Sequence, residues 1–430
     1  MAKEAGAIGD VVEIYTADSE YAGTIIPSPD EKIAMIKLGS GYNLGIEKSK
    51  IKKIVKTGSK KAAKFPEAKI KQKKNLPGIS MIVTGGTISS RLDYETGAVK
   101  WLMNPENVLA LSPKLSETVR INKIEKPFMI ASENMSSEHW KKIAEIAAKL
   151  LNKKENKGII ITHGTDTLHY TAAALSFMLK NLNKPVVLTY SQRSTDRGST
   201  DTVLNLTCAG YAAISDIAQV MLVGHSSIND NFCYAFNGTK VRKMHSSRRD
   251  AFRPVNDIPI AKIHEDGRIE KLKSYNLKDE NKKVVAETAF EDKIALIKYF
   301  PGANPSIIDY YRANGYKGLI IEATGLGHVA TDESKNSWLP EIKKAIEEGM
   351  TVCFAPQTLY GRLDPYVYSP ARKLLDAGVI FLEDMLPETA FVKLGCILAQ
   401  EKNPEDIKAK MLHNYADEFN QKLSEKAFLF

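Results

Sequence analysis

Cysteine is scarce in this chain. Only Cys208, Cys233, Cys353 and Cys396 occur in 430 residues, far apart and in apolar surroundings. Such spacing builds neither a zinc knuckle nor a disulfide framework. Long apolar runs are missing too, and nothing approaches the ~18 residues that a membrane helix needs. The opening MAKEAGAIGD lacks the apolar core of a secretory signal, so a cytoplasmic location is expected. No phosphate-cradling GxxxxGKS or GxxxxGKT, no GxSxG elbow and no HExxH pair is present. A strong charge excess is also lacking. Sixty basic against fifty-one acidic residues give +9, which permits an anionic partner without establishing one. What remains, with 43% hydrophobic and 26% charged residues, is an ordinary globular composition. The length suggests roughly two to three domains.

The first fifty-odd residues are written in short β-branched runs: VVEIY, TII, IAMIKL and IKKIV. Gly23, Pro27, Pro29 and the Gly39-Ser40-Gly41 turn punctuate them. That pattern predicts a small antiparallel β-barrel over 1–56. Residues 57–75, rich in lysine and without apolar period, read as a solvated linker or a nucleic-acid arm. From Ile79 onward, apolar runs at 79–83, 128–131, 158–162, 186–190 and 220–224 alternate with helical patterns. The clearest helix is Ser137 to Leu151, with Trp140, Ile143, Ile146, Ala147, Leu150 and Leu151 on one face and Ser136 or Ser137 as N-cap. This grammar predicts an α/β domain over 76–267 with a parallel sheet covered on both faces. Residues 268–292 are expected to cross to a smaller α/β domain over 293–400. Its strands fall near 294–298, 318–322, 351–355 and 379–382, and a helical, amphipathic tail follows over 401–430.

In such sheets functional residues gather at the carboxyl ends of strands. Two polar clusters stand there. The first is IVTGGTIS, with Thr87, followed by RLDYETGAV with Tyr94. The second is IITHGTDTLHY, with His163, Thr165 and Asp166. Their glycines let the backbone turn sharply off a strand and bring a hydroxyl close to a ligand. His163, His225 and His328 are read as structural or loop residues.

TGGTIS together with HGTDT resembles the L-asparaginase/glutaminase family, amidohydrolases that use a threonine as nucleophile. The resemblance continues through SENM (Ser132 to Met135) and VRKMHSSRRDAF (Val241 to Phe252), and covers about 79–400. Within the family, QRSTDRGSTD (Gln192 to Asp201), EDMLPETAFVKL (Glu383 to Leu394) and the extra barrel look like the branch of D subunits (GatD) of archaeal glutamyl-tRNA(Gln) amidotransferases.

The resemblance implies roles. Thr87 attacks the side-chain amide of glutamine, and Tyr94, on a lid, assists proton transfer. Thr165, Asp166 and Lys243 form a second triad with Lys243 as base; Lys240 is the nearby competitor. Asp166 and Glu133 hold the substrate α-amine, and Ser132 its α-carboxylate. Ser132 and Glu133 could instead cap the helix that follows. Which threonine attacks first stays open, and no metal is expected. The chemistry demands such an arrangement, since a threonine hydroxyl is a poor nucleophile until a neighbour removes its proton. A lysine can be that base only when burial or a like charge favours its neutral form.

The resemblance also implies a homodimer within a heterotetramer. A GatE-type partner subunit would carry ATP and Mg and use the ammonia on Glu-tRNA(Gln). The acidic residue that family members receive from a neighbouring subunit is not placed, because 357–365 diverges. Two rival readings stand beside this one: a free-standing L-asparaginase with an appended barrel, and an idle scaffold that binds RNA.

Overall fold

The computed structural model describes residues 7–59, 73, 75–92, 99–101, 112–195, 197–331 and 334–428, with the backbone alone at 90–92 and 99–101. Its first unit is a five-stranded antiparallel sheet, in the order Asn43–Glu47, Ile33–Leu38, Glu20–Ile26, Asp10–Tyr15, Lys53–Ser59. Alternation puts Val12 and Ile14 inward, where they pack on Ile36, Ile46 and Ile51. The last strand reaches Ser59, beyond the boundary read at 56, because Gly58 and Ser59 still pair with Val11 and Asp10.

The second unit is built on an eight-stranded sheet, in the order Ile269–Lys271, Ala261–His264, Phe232–Asn237, Val220–His225, Val186–Thr189, Ile159–Thr162, Gly78–Val83, Arg120–Glu125. Strands from Arg120–Glu125 to Val220–His225 run parallel; the three beyond them are antiparallel. The parallel part was legible as apolar runs. The antiparallel edge was not: the link 226–231 is too short for a crossover helix and forces a reversal of direction, and 238–260 carries a hairpin in place of a helix. The run Phe128–Ala131 is not a strand. Arg120–Glu125 takes that edge position, where only Ile121 needs burial, and Ile130 merely donates its N–H to the Thr84 carbonyl at 3.1 Å.

Helices cover both faces. Ser137–Leu151 and Leu168–Met178 pack on one side with Ile82, Ile159, Ile161 and Leu188. Pro113–Thr118 and Thr202–Ala213 pack on the other with Ile79, Met81, Ile160 and Val187. Ser136 is the N-cap of the first helix, and its N–H donates to His139 Nδ1 at 3.0 Å.

The third unit has a four-stranded parallel sheet, Ile294–Lys298, Gly318–Ala323, Thr351–Pro356 and Ile380–Phe381. These are the strands read from the sequence. Its helix Pro387–Leu398 does double duty. Leu394 and Ile397 enter the third unit's own core, while Val392 enters that of the second.

Among the described residues the tail is helical only over Pro404–Leu412 and at a short turn, Glu425–Ala427. Between them the chain is irregular and tied to both larger units. Thr239 Oγ1 donates to the Ala416 carbonyl at 2.8 Å, and Gln219 Nε2 to Asp417 Oδ2 at 3.1 Å. Lys393 Nζ, 1% exposed, donates to the carbonyls of Met411 and His413 and to Glu418 Oε1 at 2.7 Å. Glu418 also accepts from the N–H groups of Tyr415 and Ala416. Among the described residues, no helix is long and apolar enough to cross a membrane.

Removing one partner of a buried pair leaves the other charged and desolvated. Glu418→Ala is therefore expected to lower stability by about 3–5 kcal/mol. Chemical denaturation, compared with a surface control such as Glu280→Ala, checks this.

Candidate active site

Two turns make the site, and they touch through glycine. Gly85 and Gly86 take positive φ, 113° and 80°, as the chain leaves Gly78–Val83. A Cβ on Gly86 would lie 2.4 Å from Gly164 Cα, and one on Gly164 would lie 2.9 Å from Ser132 Oγ. Only residues without side chains allow three backbone segments to meet so closely. Thr84 completes the junction, donating from both N–H and Oγ1 to the Thr162 carbonyl at 3.2 and 2.9 Å. Thr87 follows at once, half-buried, opening a 3-10 turn.

Thr165 is 7% exposed, at the turn between Ile159–Thr162 and the helix from Leu168. Lys243 reaches it from a hairpin, Val241–Lys243 against Phe252–Pro254. Its Nζ donates to Thr165 Oγ1 at 2.8 Å and to Asp166 Oδ1 at 2.7 Å. The competitor Lys240 points elsewhere. Its Nζ, buried, donates to Asp384 Oδ2 at 2.7 Å and to the Asp384 carbonyl at 3.1 Å. Arg248 and Arg249 are also committed elsewhere, to Asp250 and Asp230, each at 2.9 or 2.8 Å.

Ser132 is 1% exposed and does not cap the helix that follows; Ser136 does. Ser132 Oγ instead accepts from Thr167 N–H, and Thr167 Oγ1 donates to the Ser132 carbonyl at 2.6 Å. Glu133, beside it, is exposed. Tyr94 lies outside the described residues.

His163 is fully buried and holds the second turn. Its Nδ1 lies 2.7 Å from the Gly164 carbonyl, which only accepts, so Nδ1 carries the proton. Nε2 then accepts from Thr171 Oγ1 at 2.8 Å. Burial pushes this imidazole down to about 4. His225, also buried, lies 2.6 Å by Nδ1 from Asn205 Oδ1 and 3.0 Å by Nε2 from Asp230 Oδ1.

Gln192–Asp201 follows the neighbouring strand Val186–Thr189. Asp201 accepts from Gln192 and Arg193 N–H, bending it into a tight loop. The first unit sits on this loop. Tyr42 OH is 3.0 Å from Ser199 Oγ, Gly198 N–H donates to the Ser40 carbonyl at 3.4 Å, and a Cβ on Gly41 would meet Arg197 Cα at 2.9 Å. So the N-terminal sheet, read from the sequence as a barrel, and the QRSTDRGSTD segment form one junction.

Comparison with known proteins agrees with this anatomy. Residues 7–56 match the model of the GatD N-terminal domain, 78–275 that of the asparaginase N-terminal domain, and 293–411 that of the glutaminase/asparaginase C-terminal domain. The glutamyl-tRNA(Gln) amidotransferase D subunit of Pyrococcus furiosus is 46% identical, over 98% of this chain and 97% of its own. The chain belongs to the family of glutamyl-tRNA(Gln) amidotransferase D subunits. The family member from Sulfolobus acidocaldarius is 41% identical over 96% of this chain and 92% of its own. Among solved structures, the thermostable L-asparaginase from Thermococcus kodakarensis superposes with a TM-score of 0.70 at 27% identity. It covers 80% of this chain and 100% of that one. This chain thus carries an asparaginase-type α/β core with an N-terminal antiparallel unit added beside the candidate site.

Sequence reading did not single out Arg242, Glu388 and His169, which lie behind Lys243. Arg242 Nε donates to Glu388 Oε1 at 2.7 Å, and His169 Nε2 is 3.9 Å from the same oxygen. Burial, with Arg242 and Lys243 nearby, takes His169 down to about 3. Glu388 had already appeared inside the EDMLPETAFVKL segment, but its partners come from two distant stretches of chain.

The buried histidine has a consequence for stability. An unfolded imidazole titrates near 6.5, whereas folded His163 stays neutral down to about 4. The unfolded chain therefore binds the extra proton, and stability falls as pH drops through that window. This group alone contributes on the order of 3 kcal/mol to the loss. His163→Asn, which keeps a donor for the Gly164 carbonyl, is expected to flatten the dependence of unfolding free energy on pH between about 6.5 and 4.

Proposed function

We propose that this chain is the glutaminase of its amidotransferase. It hydrolyses glutamine to glutamate and ammonia, and a GatE-type partner uses the ammonia to convert Glu-tRNA(Gln) to Gln-tRNA(Gln). The observation that carries the reading is the placement of Lys243 Nζ, 2.8 Å from Thr165 Oγ1 and 2.7 Å from Asp166 Oδ1, behind a junction that also positions Thr87. A lysine, a threonine hydroxyl and a carboxylate in one line can pass a proton, which an unactivated threonine needs.

In this scheme a threonine oxygen attacks the side-chain amide carbon of glutamine. We assign the attack to Thr87, with Tyr94 assisting its proton transfer. The carbon–nitrogen bond breaks, ammonia leaves with the added proton, and an acyl-enzyme ester remains. Thr165, polarised by Lys243, activates the water that cleaves the ester and frees glutamate. Asp166 and Glu133 hold the α-amine, and Ser132 the α-carboxylate. Backbone N–H groups at the glycine turns are suited to the oxyanion.

The partner supplies ATP and Mg, because this chain's sequence carries no phosphate-cradling loop. Ammonia must pass inside the complex, since in water at neutral pH it becomes ammonium and loses its lone pair. We assign a homodimer, within a heterotetramer, to the working assembly. The N-terminal unit stands beside the site, on the loop Gln192–Asp201, where it can meet the partner or the tRNA.

Ammonia release from glutamine and from asparagine, by the chain alone and with its partner and Glu-tRNA(Gln), tests the reading. Glutamine turnover that rises with the partner is expected. Thr87→Ala, Thr165→Ala and Lys243→Met should each lower it at least about 10³-fold. Rapid asparagine turnover by the chain alone would instead make it a free-standing asparaginase. Near-normal activity in either threonine variant would overturn the scheme.

A further inference from the structure

The segment immediately before Lys243 is gripped from the other domain at three positions. Thr389 Oγ1 donates to the Thr239 carbonyl at 2.8 Å. Lys240 Nζ donates to Asp384 Oδ2 at 2.7 Å. Arg242 Nε donates to Glu388 Oε1 at 2.7 Å. All three partners lie within Asp384–Thr389, the start of the helix Pro387–Leu398 and the turn before it. Lys243 is the next residue and reaches Thr165 and Asp166 on the opposite side.

The grips are not alike. Asp384 is fully buried and well supplied, accepting from Lys240 Nζ and from both N–H and Nδ2 of Asn420. That is how a buried charge is kept for structure. Glu388, 5% exposed, is poorly supplied: among the described residues its Oε2 has no hydrogen-bond partner, nor has Nδ1 of the adjacent His169. The 3.9 Å between His169 and Glu388 is too long for a hydrogen bond. Burial raises the carboxyl of Glu388 and Arg242 pulls it back. A buried ion pair of this kind adds little stability over well-packed apolar residues, so stability alone does not account for it.

We propose that Asp384–Thr389 positions Lys243 from across the domain boundary, and that Glu388, acting through Arg242, is the residue that sets its register. Glu388 touches no reacting atom. It is a positioning residue, and it makes the second domain part of the proton-handling apparatus without lending a catalytic group. The inference deepens the reading of Lys243 as base and rests on it.

Full-length Glu388→Gln, Glu388→Asp, Arg242→Gln and the Glu388→Gln/Arg242→Gln double variant test this with two readouts. The first is kcat and KM for glutamine in the complex with the partner subunit. We expect Glu388→Gln to lower kcat about 10- to 100-fold, as small misplacements of a catalytic group do, with KM within about threefold. Glu388→Asp should recover part of the loss, and the double variant should be no worse than either single one. The second readout needs no activity: competitive acetylation of lysines by acetic anhydride, read by mass spectrometry on folded protein. Lys243 should label faster in Glu388→Gln than in the wild type, relative to exposed lysines. Unchanged Lys243 labelling, or losses in kcat that add in the double variant, would overturn the proposal. If the wild-type complex released no ammonia from glutamine, the reading above would fail, and the labelling would still decide the positioning.

Discussion

Gly86 and Gly164 meet backbone to backbone, at a distance no Cβ could occupy, and the rest of the site is arranged around that contact. It is a constraint of excluded volume rather than an attraction. Gly78–Val83 and Ile159–Thr162 are already neighbours in the sheet. The glycines let both chains turn the same way off the strand ends, so two threonine-bearing loops share one rim. Ser132 fits against Gly164 for the same reason, and its bonds with Thr167 then fix the start of the next helix. His163, fully buried, closes the turn from beneath by spanning Gly164 and Thr171.

In the proposed scheme the hydroxyls of this rim need a base, and Lys243 reaches them from outside the parallel sheet. Lys243 sits on a hairpin that has no place in the parallel sheet. A hairpin free of the sheet needs other restraints, and these come from both directions: Asp166 and Thr165 in front, Asp384, Glu388 and Thr389 behind. The tail adds a third layer, since Asn420 holds Asp384 and the Asn256 carbonyl together. The order of the site therefore extends through the domain boundary to Asn420 in the tail.

How much of this could be read from the sequence follows from the range of the interactions. Motifs whose parts are close in the chain, TGGTIS and HGTDT, carry their own turn chemistry and were legible with their threonines. The parallel strands were legible because burial on both faces leaves continuous apolar runs. The edge strand Arg120–Glu125 was hidden, since an edge needs few apolar side chains and its burial is limited to Ile121. The resemblance set Lys243 ahead of Lys240, but nothing in the local chemistry of Lys240 and VRKMHSSRRDAF separates the two. Only the distant Asp384 and Thr165 separate them. Glu388 and His169 were hidden for the same reason. A buried charge betrays itself by its partner, and here the partner lies in the other domain.

The position of the N-terminal unit follows the same logic of borrowed restraint. Gln192–Asp201 is held from inside by Asp201, which gathers the N–H groups of Gln192 and Arg193, and from outside by Ser40, Gly41 and Tyr42. The loop stands at the carboxyl end of Val186–Thr189, beside the strand Ile159–Thr162 that leads into His163 and Thr165. A restraint placed there bears on the rim of the site and on little else. An added domain that served only to bind could sit anywhere on the surface. This one is seated on the loop Gln192–Asp201, where Gly41 packs so closely on Arg197 that a Cβ would not fit.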